Sequence, residues 1–416
     1  MMAWAPKPRP EWVEELNAFG RRLGGPGALV PLDEASLVHA ATVAAGGLDD
    51  FGGDEFRKPF AVFVRSLEEE ADLNLVGRLM ARNEIVRSLR NRLQITHAHR
   101  AHPEIAAGAV TAPVLVTGTG RSGTSILHEL LARDPAHRVL LTWEALHPWP
   151  PPEAATYRTD PRIAAAHHEY ATFWNLVTPE YQTMHENGGD VPNEDALLVM
   201  PAFLSDHFMG SYTVPSYTDF LVGADMRRAL AFHRAFLQVL QWRCPADRWV
   251  LKWPGFLSRL ADFFGEYPDA RVVITHRDPL KVLPSMTSLM ATLVWQHSDS
   301  VDVAGIVKRV TRGTAMVFDL IDQMRADHTL PDDQIVDVRY VDLVEEPWPT
   351  LRRVYDELGL ELTERAEERM REYLAAKPKD RHGAHRYSFA DTGLDVDDTR
   401  ALFAAYQARH DVPSEV

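Results

Sequence analysis

The residues Gly118-Thr119-Gly120-Arg121-Ser122-Gly123-Thr124-Ser125 have the types and spacing needed to hold an anion. Glycines let the backbone turn tightly, so that successive amide N–H groups converge on one point. If a helix begins directly behind them, its first amides are unpaired and carry a partial positive charge. Thr124 and Ser125 add hydroxyl donors, and Arg121 places a permanent cation inside the turn. The chemistry implied is recognition of a phosphate- or sulfate-like group.

The spacing is close to the nucleoside-triphosphatase loop, but Thr124 stands where that loop carries its lysine. Triphosphate chemistry places the lysine on the outer phosphates and Mg²⁺ on the following hydroxyl. A sulfuryl group carries less charge and can be transferred without a metal. The segment Thr119–Ser125 resembles the 5′-phosphosulfate loop of sulfotransferases dependent on 3′-phosphoadenosine 5′-phosphosulfate (PAPS). It is most similar to the branch with arginine rather than lysine, which includes tyrosylprotein and mycobacterial sulfotransferases.

That resemblance implies roles for further residues. In His276-Arg277-Asp278-Pro279 and the helix behind it, Arg277 and Ser285 resemble the family's 3′-phosphate site, where an arginine fork matches a terminal phosphate. Gly120, Arg121, Ser122, Gly123, Thr124 and Ser125 would hold the 5′-phosphosulfate. The basic stretch Lys377–Tyr387 resembles the loop that closes over the nucleotide, with Gly383, Arg386 and Tyr387 as contacts. Glu144 looks like the family's catalytic glutamate, and Lys252 like the lysine that stabilises the leaving phosphate. Because other branches use histidine as the base, His185 and the adjacent Glu186 compete with Glu144. Glu194 and Asp195, after Pro192-Asn193, read as a helix start. No His/Cys/Asp/Glu spacing resembles a metal site, and none is expected.

Several elements must position these residues. Short apolar runs at 114–117, 139–143, 249–252, 272–275 and 335–338 alternate with helical patterns, which predicts a parallel sheet covered on both faces. Ligands bind such sheets at the carboxyl ends of the strands, where Gly118, Glu144, Lys252 and Arg277 fall. The fold class is α/β, a P-loop-like parallel sheet of about five strands flanked by helices, with a helical N-terminal region. Helices are expected at Pro10–Leu23 (through Trp12, Leu16, Phe19 and Leu23), Asp33–Ala45 and Asn74–His97. The expected division is a helical region over 1–110 and a sulfotransferase-like domain over 111–416. An aromatic-rich, acceptor-binding insertion would interrupt the latter at 145–248.

Composition excludes several classes. With 44 Lys plus Arg against 59 Asp plus Glu, the net charge is −15, unsuited to a nucleic-acid partner. One cysteine, Cys244, permits no internal disulfide and fits a reducing compartment. The N-terminal residues lack a signal-peptide pattern and no apolar run is long enough to span a membrane, so a cytoplasmic protein is expected. The Ala/Arg-rich composition and the mycobacterial resemblance point to a bacterial source. The function implied is transfer of the sulfuryl group of PAPS to an acceptor hydroxyl, leaving 3′-phosphoadenosine 5′-phosphate (PAP). The insertion's aromatics favour a bulky, partly apolar acceptor such as a lipid, polyketide or aryl alcohol. A Mg²⁺-dependent kinase or hydrolase and a catalytically silent PAP-binding protein are the alternatives.

Overall fold

A computed structural model describes residues 4–377, 383 and 385–416. Its centre is a sheet of five parallel strands: β1 (Val114–Gly118), β2 (His137–Arg138), β3 (Arg248–Lys252), β4 (Arg271–His276) and β5 (Ile335–Arg339). Their order across the sheet is β2-β3-β1-β4-β5. β1 lies between β3 and β4, with Val116 opposite both Lys252 and Val273. Four of the apolar runs became strands close to where they were expected. β1 is buried at every position, which is why it reads as a continuous apolar run rather than an alternating one.

The second run behaves differently. Only His137 and Arg138 pair with the sheet, and Thr142–Leu146 is helical. Here the chain leaves the sheet to bond with the insertion. Asn193 donates to the Leu140 carbonyl, Thr142 to that of Val191 and Trp143 to that of Gly189.

The longer N-terminal helices are α1 (Glu11–Arg22), α2 (Glu34–Ala44), α3 (Arg57–Glu69) and α4 (Leu75–Ala101). Asp33 and Asn74 cap α2 and α4, accepting from Ser36 N and Gly77 N, as expected of such residues at a helix start. The period of α1 is the one its sequence predicts, but the buried face is not. Leu16, Phe19 and Leu23 are exposed, whereas Val13, Asn17 and Gly20 are buried. The polar side chain of Asn17 accepts from Val76 N at 3.0 Å. A Cβ at Gly20 would come within 2.9 Å of Leu75, so close helix contact selected the small residue over the large ones. One cluster of buried side chains joins Phe60 and Phe63 of α3 to Phe203, Phe208 and Tyr217 of the insertion and to Leu115 and Leu251 of the sheet. The N-terminal helices therefore share a core with the residues around the loop. No helix among the described residues is long and apolar enough to cross a membrane.

Candidate active site

At the carboxyl end of β1 the chain turns through Thr119–Gly123 into α5 (Thr124–Leu131). Gly123 has φ +99°, and a Cβ there would lie 2.7 Å from the Tyr340 ring; one at Gly120 would lie 2.6 Å from the Met286 sulfur. Arg121 adopts φ +70°, a left-handed conformation that costs a non-glycine residue roughly 1–2 kcal/mol. The turn is locked from within. Ser122 Oγ donates to the Thr119 carbonyl at 2.5 Å and lies 2.7 Å from Thr275 Oγ1 on β4. Ser122 is therefore a brace for the loop. The hydroxyl of Thr119 is buried without a hydrogen-bond partner. An unpaired buried donor beside a helix start is an anion site's chemistry, so these residues fit a phosphosulfate.

Two cations converge on this turn. Lys252 ends β3, and its Nζ donates to Ser125 Oγ at 3.1 Å and to Glu194 Oε1 at 2.6 Å. A lysine missing from the loop sequence is thus supplied from the neighbouring strand. Arg121 Nε donates to Ser285 Oγ at 2.9 Å and its Nη1 to the Met184 carbonyl at 2.8 Å. Burial lowers the Arg121 pKa, partly offset by Tyr387. Ser285 lies on α8 (Pro279–His297); α6 (Thr142–Leu146) and α7 (Arg227–Gln241) are among the helices between α5 and it. Arg277, at the end of β4, donates from Nη1 to the Arg121 carbonyl at 3.1 Å and lies 3.9 Å over the Tyr340 ring. Its remaining fork holds Glu415 at 2.9 and 3.0 Å. The loop, Lys252, Ser285 and Arg277, separate in sequence, are therefore linked through direct side-chain contacts.

A sequence profile described as the sulfotransferase family matches residues 113–364, the interval from β1 past β5. The chain belongs to the sulfotransferase family. Its structure is similar to that of sulfotransferase STF9 from Mycobacterium avium, with a TM-score of 0.83, 28% identity and coverage of 92% of this chain and 97% of that one. It is also similar to sulfotransferase STF1 from Mycobacterium tuberculosis H37Rv, with a TM-score of 0.77, 30% identity and coverage of 90% and 98%. A further relative is the omega-hydroxy-beta-dihydromenaquinone-9 sulfotransferase Stf3 of Mycobacterium bovis, 25% identical over 279 residues. That alignment takes in 63% of this chain and 66% of the relative, so the chain spans just under two thirds of the relative's length. The α/β fold and the resemblance read from the loop agree with these findings.

Within this family member, Glu144 does not join the converging groups. It is fully buried and lies in α6, whose start its own carboxylate caps by accepting from Leu141 N at 3.1 Å. Arg138 Nη2 donates to the same carboxylate at 2.5 Å and Tyr157 OH at 3.0 Å. Arg138 in turn stands in register with Trp249, three residues before Lys252. The run before Glu144 is not a strand: β2 ends at Arg138, and the helical turn that follows directs Glu144 inward onto Arg138. Its place against Arg138, rather than beside the loop's anion, is the difference from what the sequence led us to expect.

Glu194 is the opposite case. Expected only as a helix start, it faces Lys252, while its neighbour Asp195 is the buried structural acid, accepting from Lys252 N at 2.6 Å and lying 3.2 Å from His233 Nε2. Burial alone would raise the Glu194 pKa, but Lys252 and then His185 pull it below the usual carboxylate value. His185 is held down to about 4 by burial and by Lys252, so its imidazole is neutral near pH 7. Glu186 faces the other way, pairing with Lys377 at 2.9 Å. The signal for Glu194 lies in the insertion's return to β3, a tertiary contact that no local spacing encodes.

Of the C-terminal stretch, Lys377, Gly383 and 385–387 lie within the described residues, and 378–382 and 384 lie outside them. Gly383 has φ +97° and approaches Thr183. Arg386 and Tyr387 line a cavity of about 430 Å³ together with Met184, Pro284, Ser288 and His385, beside the Met184 carbonyl that holds Arg121. Ser288 Oγ lies 2.9 Å from His385 Nε2. One grouping with metal-ligand geometry that the spacing did not reveal is His276, Asp337 and His410. Its atoms are already engaged: His276 Nε2 with Asp337 at 2.8 Å, Asp337 with Arg325 at 2.8 Å, and His410 with Asp322 at 3.2 Å.

Proposed function

We propose that this chain transfers the sulfuryl group of PAPS to a hydroxyl of an acceptor. The observation that carries the reading is the Lys252 ammonium against Ser125 of the loop, a cation at the head of an anion-binding turn with no lysine of its own. In this reading the amides of Gly120–Ser125, the hydroxyls of Thr119, Thr124 and Ser125, and Arg121 hold the phosphosulfate. Arg277 and Ser285 take the 3′-phosphate, and Gly383, Arg386 and Tyr387 approach the nucleotide from the C-terminal side. The contact of Arg121 with Ser285 supports a nucleotide that bridges both anchors. Lys252 would neutralise the bridging oxygen as the sulfur–oxygen bond breaks.

The acceptor is proposed at the level of a hydroxyl compound. The Stf3 relative is named for a menaquinone derivative, which is compatible with a partly apolar acceptor here. Metal-free transfer and a cytoplasmic setting are part of the same proposal.

Thermal unfolding with PAP, adenosine 5′-phosphate, or ATP plus Mg²⁺ tests it. A stabilisation with PAP that exceeds that with adenosine 5′-phosphate, and that shrinks in Arg277→Ala, is expected. Stabilisation by ATP plus Mg²⁺ alone would favour a kinase or hydrolase instead.

A further inference from the structure

Resting on that reading, we infer that Glu194 is the base that deprotonates the acceptor, and that Lys252 switches it on by moving from Glu194 to the nucleotide. Lys252 Nζ is shared between Glu194 Oε1 and Ser125 Oγ, so one ammonium touches both the candidate base and the loop. An acid 2.6 Å from a cation that would stabilise the leaving oxygen would stand beside the group being transferred. Glu194 also retains access that Glu144 lacks: its side chain is 31% exposed, against none for Glu144. Among the described residues, Glu194 accepts a side-chain hydrogen bond from Lys252, whereas Glu144 accepts from Arg138, Leu141 N and Tyr157.

The device follows from charge. Without nucleotide, the Lys252 ammonium offsets burial and holds the Glu194 pKa below the usual carboxylate value, which keeps it ionised but weakly basic. Phosphosulfate competes for the ammonium. As Lys252 turns toward the bridging oxygen, Glu194 loses its main counter-charge in a partly buried site, and its basicity rises. Basicity therefore increases only when a donor is in place. In the step itself, the acceptor O–H proton passes to the Glu194 carboxylate while the acceptor oxygen forms a bond to sulfur. The bond between sulfur and the 5′-phosphate oxygen breaks, and its electron pair stays on PAP beside Lys252. Glu194 then returns its proton to solvent. His185, neutral and near the same pair, orients the acceptor or Glu194 in this scheme rather than taking the proton.

The test needs no known acceptor, because water can take the sulfuryl group slowly. PAP release from PAPS is followed by ion-pair chromatography for the wild type, Glu194→Gln, Glu194→Asp, His185→Gln and Glu144→Gln, with PAP affinity measured on each. Glu194→Gln is expected to slow release at least 100-fold while binding PAP equally or up to several-fold more tightly, since Lys252 is freed. Glu194→Asp should recover part of the rate, and residual release by Glu194→Gln should rise with hydroxide concentration. Glu194→Gln releasing PAP within threefold of wild type, or His185→Gln alone abolishing release, would overturn the assignment. Wild-type protein that binds PAP yet releases none from PAPS would instead overturn the enzymatic reading.

Discussion

Glu144 and Glu194 show how far a carboxylate's role depends on its partner. Both lie in segments that bond to the same sheet region, yet one is closed off against Arg138 and the other meets Lys252. Removing one member of a buried ion pair leaves the other charge uncompensated and costs about 3–5 kcal/mol. Glu144→Gln should accordingly lower the unfolding midpoint by several degrees, because Arg138 loses its charged partner and α6 its capping carboxylate. At a temperature where the variant is folded, its PAP affinity should match wild type. A Glu144→Gln protein with unaltered stability but no PAP release would restore Glu144 as the base. Gly123→Ala is a second residue-scale case: φ +99° and the 2.7 Å approach to Tyr340 leave no room for a methyl. PAP-induced stabilisation should be lost there even if the fold survives, which calorimetry can separate.

Elements explain which of these roles were legible. Strand ends are set by local pattern, so the apolar runs alone locate Gly118, Lys252 and Arg277 at the carboxyl ends of neighbouring strands. The loop was legible for the same reason, since glycine spacing and the helix behind it are contiguous. The insertion was not. Glu194 reaches Lys252 because Asp195 N bonds to the Lys252 carbonyl at 2.9 Å and Asn193 N to that of Leu140 at 2.8 Å, pairings between segments far apart in sequence. The exposed Leu16 and Phe19 of α1 teach the same lesson, because periodicity gives the period and the neighbour chooses the face. One element contact has a direct consequence. The segment before Val416 lays Glu415 on Arg277 and is held there by Glu415 N on Asp278 at 2.6 Å, while Arg400, on the last helix, also grips Asp278. If Arg277 serves the 3′-phosphate, the nucleotide must displace that carboxylate. Glu415→Gln should then tighten PAP by about threefold, the scale of a partly exposed ion pair, and leave adenosine 5′-phosphate unchanged. Isothermal titration of both nucleotides measures the difference, and an equal change for the two would separate Glu415 from 3′-phosphate recognition.

At the scale of the whole molecule, the core buries ionisable groups in fixed states, and this sets its response to acid. His128, bonded to the Val250 carbonyl at 3.1 Å, is pushed down to about 3 by burial and by Lys252. His297 is pushed down to about 4, chiefly by burial, where it packs on Tyr212 with ring centroids 4.6 Å apart. Both are neutral in the folded protein, while unfolding restores a value near 6.5. The unfolded chain therefore binds more protons below pH 6.5, and stability falls as pH drops from there toward 4. Each such histidine contributes about 1.4 kcal/mol per pH unit through that window. Glu84 adds a lower window. Burial would raise it, but His207, at 2.9 Å, and Arg87 hold it at about 2, so its contribution is present above the ordinary carboxylate value of 4.5 and is lost as pH falls from 4.5 toward 2. Urea unfolding at pH 7.5, 6.5, 5.5 and 4.5 should show a stability that is nearly level above pH 7 and drops steadily below 6.5. His128→Gln, which can still donate to the Val250 carbonyl but cannot titrate, should flatten that fall by one histidine's worth. A slope unchanged by this substitution would mean that His128 is already protonated in the folded chain, and the Lys252 ammonium beside it would then have to be neutral or displaced.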